Sequence, residues 1–278
     1  MDKRWRQYQG ALLWNGNPAK EIPTEKEARE AVKESGAMFA RWTSNWDCKT
    51  PTEWWYCIKD TFTPVSEFSA KQRYRINKGL KNCSIVRLAH DEVANYTQDI
   101  YRIAEWAFAD YPATYKPVLC IKDYERWLSN MPQKQDIWIC IEKENRQIIG
   151  YAVCNIQGNF VNLVQVKVPT EKLRTEANSA IVFRLSEYYL KEQHLNYICD
   201  GERNIKHRTQ YQDYLVRVLN FRYAYCKLNI VYSSKMHFIV NLLYPFIGGG
   251  VRLLSKFNPF FNNVYCVLKM ERIRRSFK

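Results

Sequence analysis

No two cysteines in this chain stand close enough to share a metal ion. The nine, at 48, 57, 83, 120, 140, 154, 199, 226 and 266, are never nearer than nine residues, so the C-x-x-C spacing of zinc knuckles and dithiol redox sites is absent. Reduced, mostly buried thiols and no metal centre are expected. Long apolar runs are missing too. The most membrane-like stretch, "FIVNLLYPFIGGGVRLL" from 238 to 254, is broken by Asn241, Pro245, three glycines and Arg252, whereas a spanning helix needs about 20 mostly apolar residues. At the start, "MDKRWRQYQGALLWNGN" has neither the apolar core nor the small-residue cleavage site of a signal peptide, so the chain is expected in the cytoplasm. There is no internal repeat and no low-complexity linker. Acidic residues are scarce relative to basic ones: 28 Asp and Glu against 42 Lys and Arg leave a formal net charge of +14. A basic surface of this kind favours polyanionic partners, namely nucleic acid, phosphorylated donors or anionic lipid; a surface kept basic for solubility is the plain alternative.

What is present describes a folded chain. Its 278 residues are 46% hydrophobic and 15% aromatic, enough for one large domain or two small ones and incompatible with disorder. "QYQGALLWN" reads as a strand. A helix follows, opened by the capping box Thr24-x-x-Glu27 and closed at Gly36, and then two aromatic-rich strands, "AMFARWTSNW" and "EWWYCIKD". Residues 67 to 81, "EFSAKQRYRINKGLK", predict a basic helix with Ser69 as N-cap and Lys71, Arg73, Arg75 and Lys78 along it. After the short strand "SIVRL", helices are expected over about 91 to 110 and 121 to 130. From Asp136, "DIWICIEKENRQIIGYAVCNIQGNFVNLVQVKV" reads as three strands joined by short polar turns, an antiparallel meander. A helix over about 170 to 192 then leads to the strand "LNYIC", and strand, long helix, strand implies a right-handed parallel crossover. The helix 209 to 219 ends at Asn220, suited to a left-handed cap, and "RYAYCKLNIVY" reads as the last long strand. The sum is an α+β fold with a mixed sheet.

Between "LNYIC" and the next helix lies the polar elbow "CDGERNIKHRT", residues 199 to 209. Such an elbow at a strand end is either a plain turn, for which Asp-Gly is ordinary chemistry, or the rim of a site. The Lys71, Arg73, Arg75 and Lys78 cluster likewise reads either as a solvated face or as a grip on phosphate, where Arg offers a fork and Lys a point charge. Trp42, Trp54 and Trp55 are core residues or platforms for a ring.

The order of elements, with a helix ending in "LNF" where many members have Leu-Gly-Phe, resembles the GNAT superfamily of N-acetyltransferases. "SAKQRYRINKGLK", "DGERNIKHRTQYQDYL" and "FRYAYCKLNIVY" are closer to its Fem-type branch, which builds peptidoglycan bridges, and to GNAT-like proteins of bacterial surface-polysaccharide loci. The resemblance covers roughly 67 to 235 and implies an N-terminal α+β segment (1–66), a GNAT-like domain (67–235) and a basic C-terminal appendage (236–278). It further implies transfer of an acetyl or aminoacyl group to an amine of a sugar or cell-envelope precursor, with Asp200 or His207 as base and Arg203, Lys71, Arg73, Arg75 and Lys78 holding substrate. Val166, Lys167, Val168, Lys172 and Arg174 would meet the donor, either acyl-coenzyme A as co-substrate or aminoacyl-tRNA, with no tightly bound cofactor. A nucleotide-sugar or lipid-linked precursor is the implied acceptor class, and the appendage either packs on the core or lies against the inner face of a membrane.

Three departures matter. The glycine loop that usually cradles the coenzyme A pyrophosphate at a helix N-terminus is replaced by "VPTEKLRTEANSA", and no glycine occurs between Gly158 and Gly201. Glu171 would repel a phosphate there, an effect Lys172 and Arg174 offset. The position of the usual general-acid tyrosine is Val216, with Tyr214 the nearest phenol. A protein that kept the fold and lost the donor site, acting as a scaffold or on nucleic acid, is therefore the alternative.

Overall fold

The structure is a computed structural model that describes residues 2–111, 116–205, 210–255 and 258–277. Its strands are β1 (Trp5–Tyr8), β2 (Ala11–Trp14), β3 (Phe39–Ser44), β4 (Trp55–Lys59), β5 (Cys83–Arg87), β6 (Gln135–Glu142), β7 (Ile148–Gln157), β8 (Phe160–Lys167), β9 (Tyr197–Glu202), β10 (Arg222–Tyr225) and β11 (Lys227–Tyr232). Its α-helices are α1 (Glu25–Ser35), α2 (Ala70–Asn82), α3 (Thr97–Ala109), α4 (Ile121–Ser129), α5 (Ala177–Ser186), α6 (Gln210–Leu219), α7 (Ser234–Leu243), α8 (Gly250–Leu254) and α9 (Pro259–Arg275). Among the described residues, no helix is long and apolar enough to cross a membrane. The chain divides into two compact units, one of Met1–Tyr56, Glu202–Gln210 and Tyr223–Lys278, the other of Cys57–Gly201 and Tyr211–Arg222. This differs from the expected division at 66/67 and 235/236, because β11 pairs with β3, Lys227 opposite Ser44 through Tyr232 opposite Phe39.

In the first unit the sheet order is β1-β2-β3-β11. Period-two alternation sends Leu12, Ala40 and Trp42 to one face, where α1 covers them with Ala28, Ala31 and Val32. Ala11, Phe39, Leu228 and Ile230 go to the other, against Met270 and Ile273 of α9. The expected single strand at the start is instead a hairpin, because Gln9 and Gly10 take φ of 48° and 78°, the left-handed pair that a two-residue turn needs. The expected last strand is two: Cys226 interrupts it, its N–H donating to the Trp54 carbonyl at 3.0 Å and its carbonyl accepting from Thr52 Oγ1 at 2.9 Å. Beneath β11, Glu271 is 1% exposed and accepts from Arg274, Arg275 and Tyr232 at 2.6 to 3.1 Å, which keeps its pKa low despite a burial that works to raise it.

The second unit carries the strand order β4-β9-β8-β7-β6-β5. β5 to β8 are antiparallel neighbours, and the step from β8 to β9 is parallel, as the meander and crossover predict. Ile100, Ile103 and Ala104 of α3 and Leu128 of α4 pack on Ile137, Ile139, Tyr151 and Val153. The expected capping box of Thr24 with Glu27 starts α1, and the expected N-cap Ser69 starts α2, where Gln72 completes a second capping box that was not expected. The expected helix over 170 to 192 comes in three pieces, a 3₁₀ segment Thr170–Thr175, α5, and a π-helical end Glu187–Glu192, with Glu176 at φ 63° breaking the first from the second. Asn220 takes the left-handed cap, φ 55°.

α2 lies close on α5 because Gly79 has no side chain. A Cβ there would stand 2.4 Å from the Glu176 carbonyl oxygen and 3.0 Å from the Ala180 Cβ, so Gly79→Ala is expected to destabilise the protein by about 1–3 kcal/mol despite alanine's better helix propensity. Chemical denaturation of the variant checks this.

Candidate functional site

β8 and β9 pair at only three positions, Phe160 with Tyr197, Val161 with Ile198 and Asn162 with Cys199. Beyond Asn162, β8 stays with β7, and the register on that side skips one residue: Val153 faces Gln165 and Cys154 faces Leu163. Val164 is the extra residue of this bulge and is 48% exposed. A bulge bends its strand and sharpens the local twist, and here it acts just where β8 leaves β9. Residues Leu163 to Lys167 and Asp200 onward thus lie beyond the paired stretch, so backbone groups at the strand ends are not consumed by each other.

Asp200 sits at this point. Gly201 follows at φ 92°, a conformation that costs little only for glycine, and its N–H turns back to Cys199 Sγ at 3.2 Å. Asp200 is partly buried. Burial pushes its carboxyl up to about 7, opposed by a hydrogen bond from Gln212, whose Nε2 also approaches the Gly201 carbonyl at 3.4 Å. Removing a carboxylate from water disfavours its charged form, and among the described residues no cation offsets it. The charge of Asp200 reaches two further groups. The Tyr211 hydroxyl is buried and has no hydrogen-bond partner among the described residues; burial first and then the negative charge of Asp200 push its pKa well up. The same two causes, in the same order, raise the Cys57 thiol.

One turn along α6, Tyr214 stacks on Tyr211 at 5.9 Å and makes a different set of bonds. Its hydroxyl is 2.7 Å from Ser179 Oγ, which donates to Glu176 Oε2 at 2.9 Å. Burial lifts the Tyr214 phenol to about 12. Glu176 also accepts from Arg75 Nε at 2.9 Å, and the Arg75 guanidinium lies 5.3 Å over the Tyr214 ring. Glu176 is the N-cap residue of α5, so a carboxylate of the chain itself stands at the positive end of that helix.

The other sequence-predicted residues are placed as follows. Arg73 donates to the carbonyls of Phe68 at 2.7 Å and Ser66 at 3.3 Å, tying α2 to the turn before it, and Arg75 is engaged by Glu176. Lys71 is exposed, and Lys78 lies 5.9 Å over the ring of Tyr74, one turn earlier on its own helix. Lys172 is held by Glu142 at 2.7 Å, whereas Arg174 is exposed. Val166 and Val168 are half-buried. Lys167 lies 3.9 Å over Phe108, and burial lowers it to about 8. In the first unit, Arg203 spans Glu53 and Trp55: it donates to the Glu53 carbonyl at 2.5 Å and lies 4.5 Å over the Trp55 ring. Glu202 accepts from Arg41 at 2.6 Å and Trp54 Nε1 at 3.1 Å. Trp54 and Trp42 are core residues, 0% and 7% exposed. His207 lies outside the described residues.

Tyr211, Gln212 and Cys57 escape sequence reasoning. The pair Tyr211 and Tyr214, three apart on a helix, carries a signal that both phenols share one face, but nothing in the spacing says which of them feels the charge of Asp200.

An ionised Asp200 is worse solvated in the folded than in the unfolded chain. Its contribution to stability is therefore full below about pH 4, the unfolded value, and declines as pH rises through about 7. Asp200→Asn is expected to raise stability at pH 8 by roughly 1–3 kcal/mol and to leave it nearly unchanged at pH 4; thermal melts at the two pH values decide. Tyr211→Phe, which deletes a hydroxyl without a described partner, is expected to melt within a few degrees of wild type.

No family model and no curated protein matches the chain. Solved structures do. The C-terminal domain (DUF2156) of a putative lysylphosphatidylglycerol synthetase from Agrobacterium fabrum is 10% identical, with a TM-score of 0.55 over 85% of this chain and 82% of that one. L-PGS from Bacillus licheniformis is 11% identical, with a TM-score of 0.50 over 84% of this chain and 82% of that one. FemX, 8% identical over 77% of this chain and 70% of its own, superposes at 0.49, too loosely to argue from. At such identities the likeness is one of fold, and the fold is the mixed-sheet, GNAT-like one that the sequence resemblance implies.

Proposed function

We propose that the chain is an acyltransferase that moves an acetyl or aminoacyl group onto an amine of a sugar or cell-envelope precursor, with Asp200 as general base. The observation that carries this reading is the carboxyl of Asp200, held near neutrality where β8 and β9 part. A base is most useful when its pKa lies near the working pH, and few side-chain carboxyls reach that range without a desolvated setting. In the step itself the amine nitrogen attacks the donor carbonyl and its proton passes to Asp200. The carbonyl–leaving-group bond breaks, and the thiolate or ribose oxygen departs with a proton. Backbone N–H groups of β8 beyond Asn162 would meet the carbonyl oxygen, the role of an oxyanion hole. Tyr211 stands beside the base and would donate to the leaving group.

Two donors fit this scheme. An acyl-coenzyme A would find no glycine cradle, and Lys172 is already paired with Glu142; Arg174 and Lys167 would carry its phosphates, and micromolar or weaker binding follows. An aminoacyl-tRNA would use the wide basic surface that a +14 charge provides. The C-terminal domain from Agrobacterium fabrum bears the name of a putative lysylphosphatidylglycerol synthetase, which supports the aminoacyl donor. A scaffold that kept the fold is favoured by one observation, the Glu176 carboxylate at the start of α5 where a donor phosphate would sit.

Transfer of radiolabelled acetyl from acetyl-coenzyme A and of amino acid from charged tRNA to amino-sugar acceptors separates these readings. Activity with either donor is expected to rise with pH through about 7, as Asp200 ionises, and to fall by about 10²-fold or more in Asp200→Asn. No transfer from either donor, or an Asp200→Asn variant with wild-type rates, would leave the scaffold reading.

A further inference from the structure

Large apolar side chains that face solvent are unevenly spread over the chain. Of the sixteen among the described residues, seven fall between 238 and 260. Helix α7 shows why this is not ordinary scatter. Its inward row, Met236, Val240 and Leu243, packs on Val251, Val264 and Leu268 of α8 and α9. Its outward row is just as apolar: Phe238, Ile239 and Leu242 are 69%, 44% and 58% exposed, and Phe246 in the next turn is 59% exposed. Only a narrow polar edge separates the rows, His237 bonded to Asn241 at 2.9 Å and Asn241 to Arg275 at 2.9 Å. A helix that is apolar on both sides belongs in a buried setting, yet one side here is bare. Leu253 and Leu254 of α8, 60% and 44% exposed, and Phe260, 67% exposed, add to the same segment.

Charge names the occupant. Residues 234–278 contain eight Lys or Arg and one acidic residue, a net of seven that is half the +14 of the whole chain. That one carboxylate, Glu271, is buried under Arg274 and Arg275, so no acidic side chain is exposed among the described residues of the segment. Lys235 and Arg252 stand exposed beside the apolar rows. A second copy of the chain would bring the same net charge of +7 to this face and be repelled by it. An anionic lipid bilayer answers both the charge and the apolar rows. It takes up an apolar helix face lying in its plane and holds flanking Lys and Arg at anionic headgroups. We infer that α7, α8 and the start of α9 form a peripheral docking face for an anionic bilayer, with Phe238, Leu242, Phe246 and Leu253 entering the acyl boundary and Lys235 and Arg252 at the headgroups. The inference stands on this surface alone and does not need the transferase reading.

The test is co-sedimentation of the full chain with vesicles of phosphatidylcholine alone and of equal parts phosphatidylcholine and phosphatidylglycerol. Wild type is expected to sediment with the anionic vesicles and far less with the neutral ones. The paired variant Phe238→Asp, Leu242→Asp is expected to lose on the order of tenfold or more of that binding at an unchanged melting temperature, since both positions are exposed. Should that pair fail to fold, Phe238→Ser probes the same face. Wild type that stays in solution with both vesicles overturns the inference. So does a paired variant that binds like wild type, because the general basic charge would then suffice. Light scattering that finds a wild-type dimer, broken by the variant and indifferent to vesicles, overturns it in favour of a second copy of the chain.

Discussion

A parallel strand pair that stayed hydrogen-bonded to its end would have no room for chemistry, because each backbone group would be used by its neighbour. In this chain β8 and β9 share three residue pairs and no more. Two local features make the parting stable. The extra residue Val164 lets β8 bend while keeping β7 as its partner, and Gly201, inside β9, takes a φ of 92° that bends the strand next to Asp200. The bend and the turn act at the same level of the sheet. The carboxyl placed between them is shielded from water, and that burial moves its pKa towards neutrality.

The same reasoning sorts the basic residues, which sequence alone treats as a pool. Several are spent inside the fold. Arg75 holds Glu176 with a side chain 33% exposed, Lys172 holds Glu142 at 21%, and Arg274 and Arg275 close over a glutamate that is 2% exposed. Breaking such a pair leaves a buried charge uncompensated, so these cations read as structural first. Lys71 and Arg174 remain outward, as do Lys235 and Arg252. The charge available to a ligand is thus smaller and more localised than +14 suggests.

Features set by neighbours in sequence were legible. The capping box at Thr24, the N-cap at Ser69, the left-handed Asn220, the meander from Gln135 to Lys167 and the parallel step into β9 all follow from residue type and period. Features that depend on distant partners were not. "RYAYCKLNIVY" has the pattern of one strand, but Thr52 and Trp54 pin Cys226 and divide it. Arg73 and Arg75 look like a phosphate grip until Phe68 and Glu176 are placed beside them. Asp200 was visible as a polar residue at a strand end; the different surroundings of the two phenols, Tyr214 bonded to Ser179 and Tyr211 unbonded among the described residues, were not. His207, the second candidate base, lies outside the described residues.

The start of α5 shows how one substitution pattern reshapes a whole site. In an anion cradle, glycine leaves the first N–H groups of a helix open and the macrodipole favours whatever negative group arrives. Here Glu176 adopts the left-handed conformation that a glycine would otherwise supply, φ 63°, and brings its own carboxylate to the helix start. Ser179 and Arg75 fix that carboxylate in place, and Arg75 in turn leans on Tyr214. The helix end has its anion already, supplied in cis. A phosphate arriving there would have to displace a charge-assisted bond and meet a like charge, two costs of the order of 1–3 kcal/mol each. A free phosphate is therefore disfavoured at the start of α5.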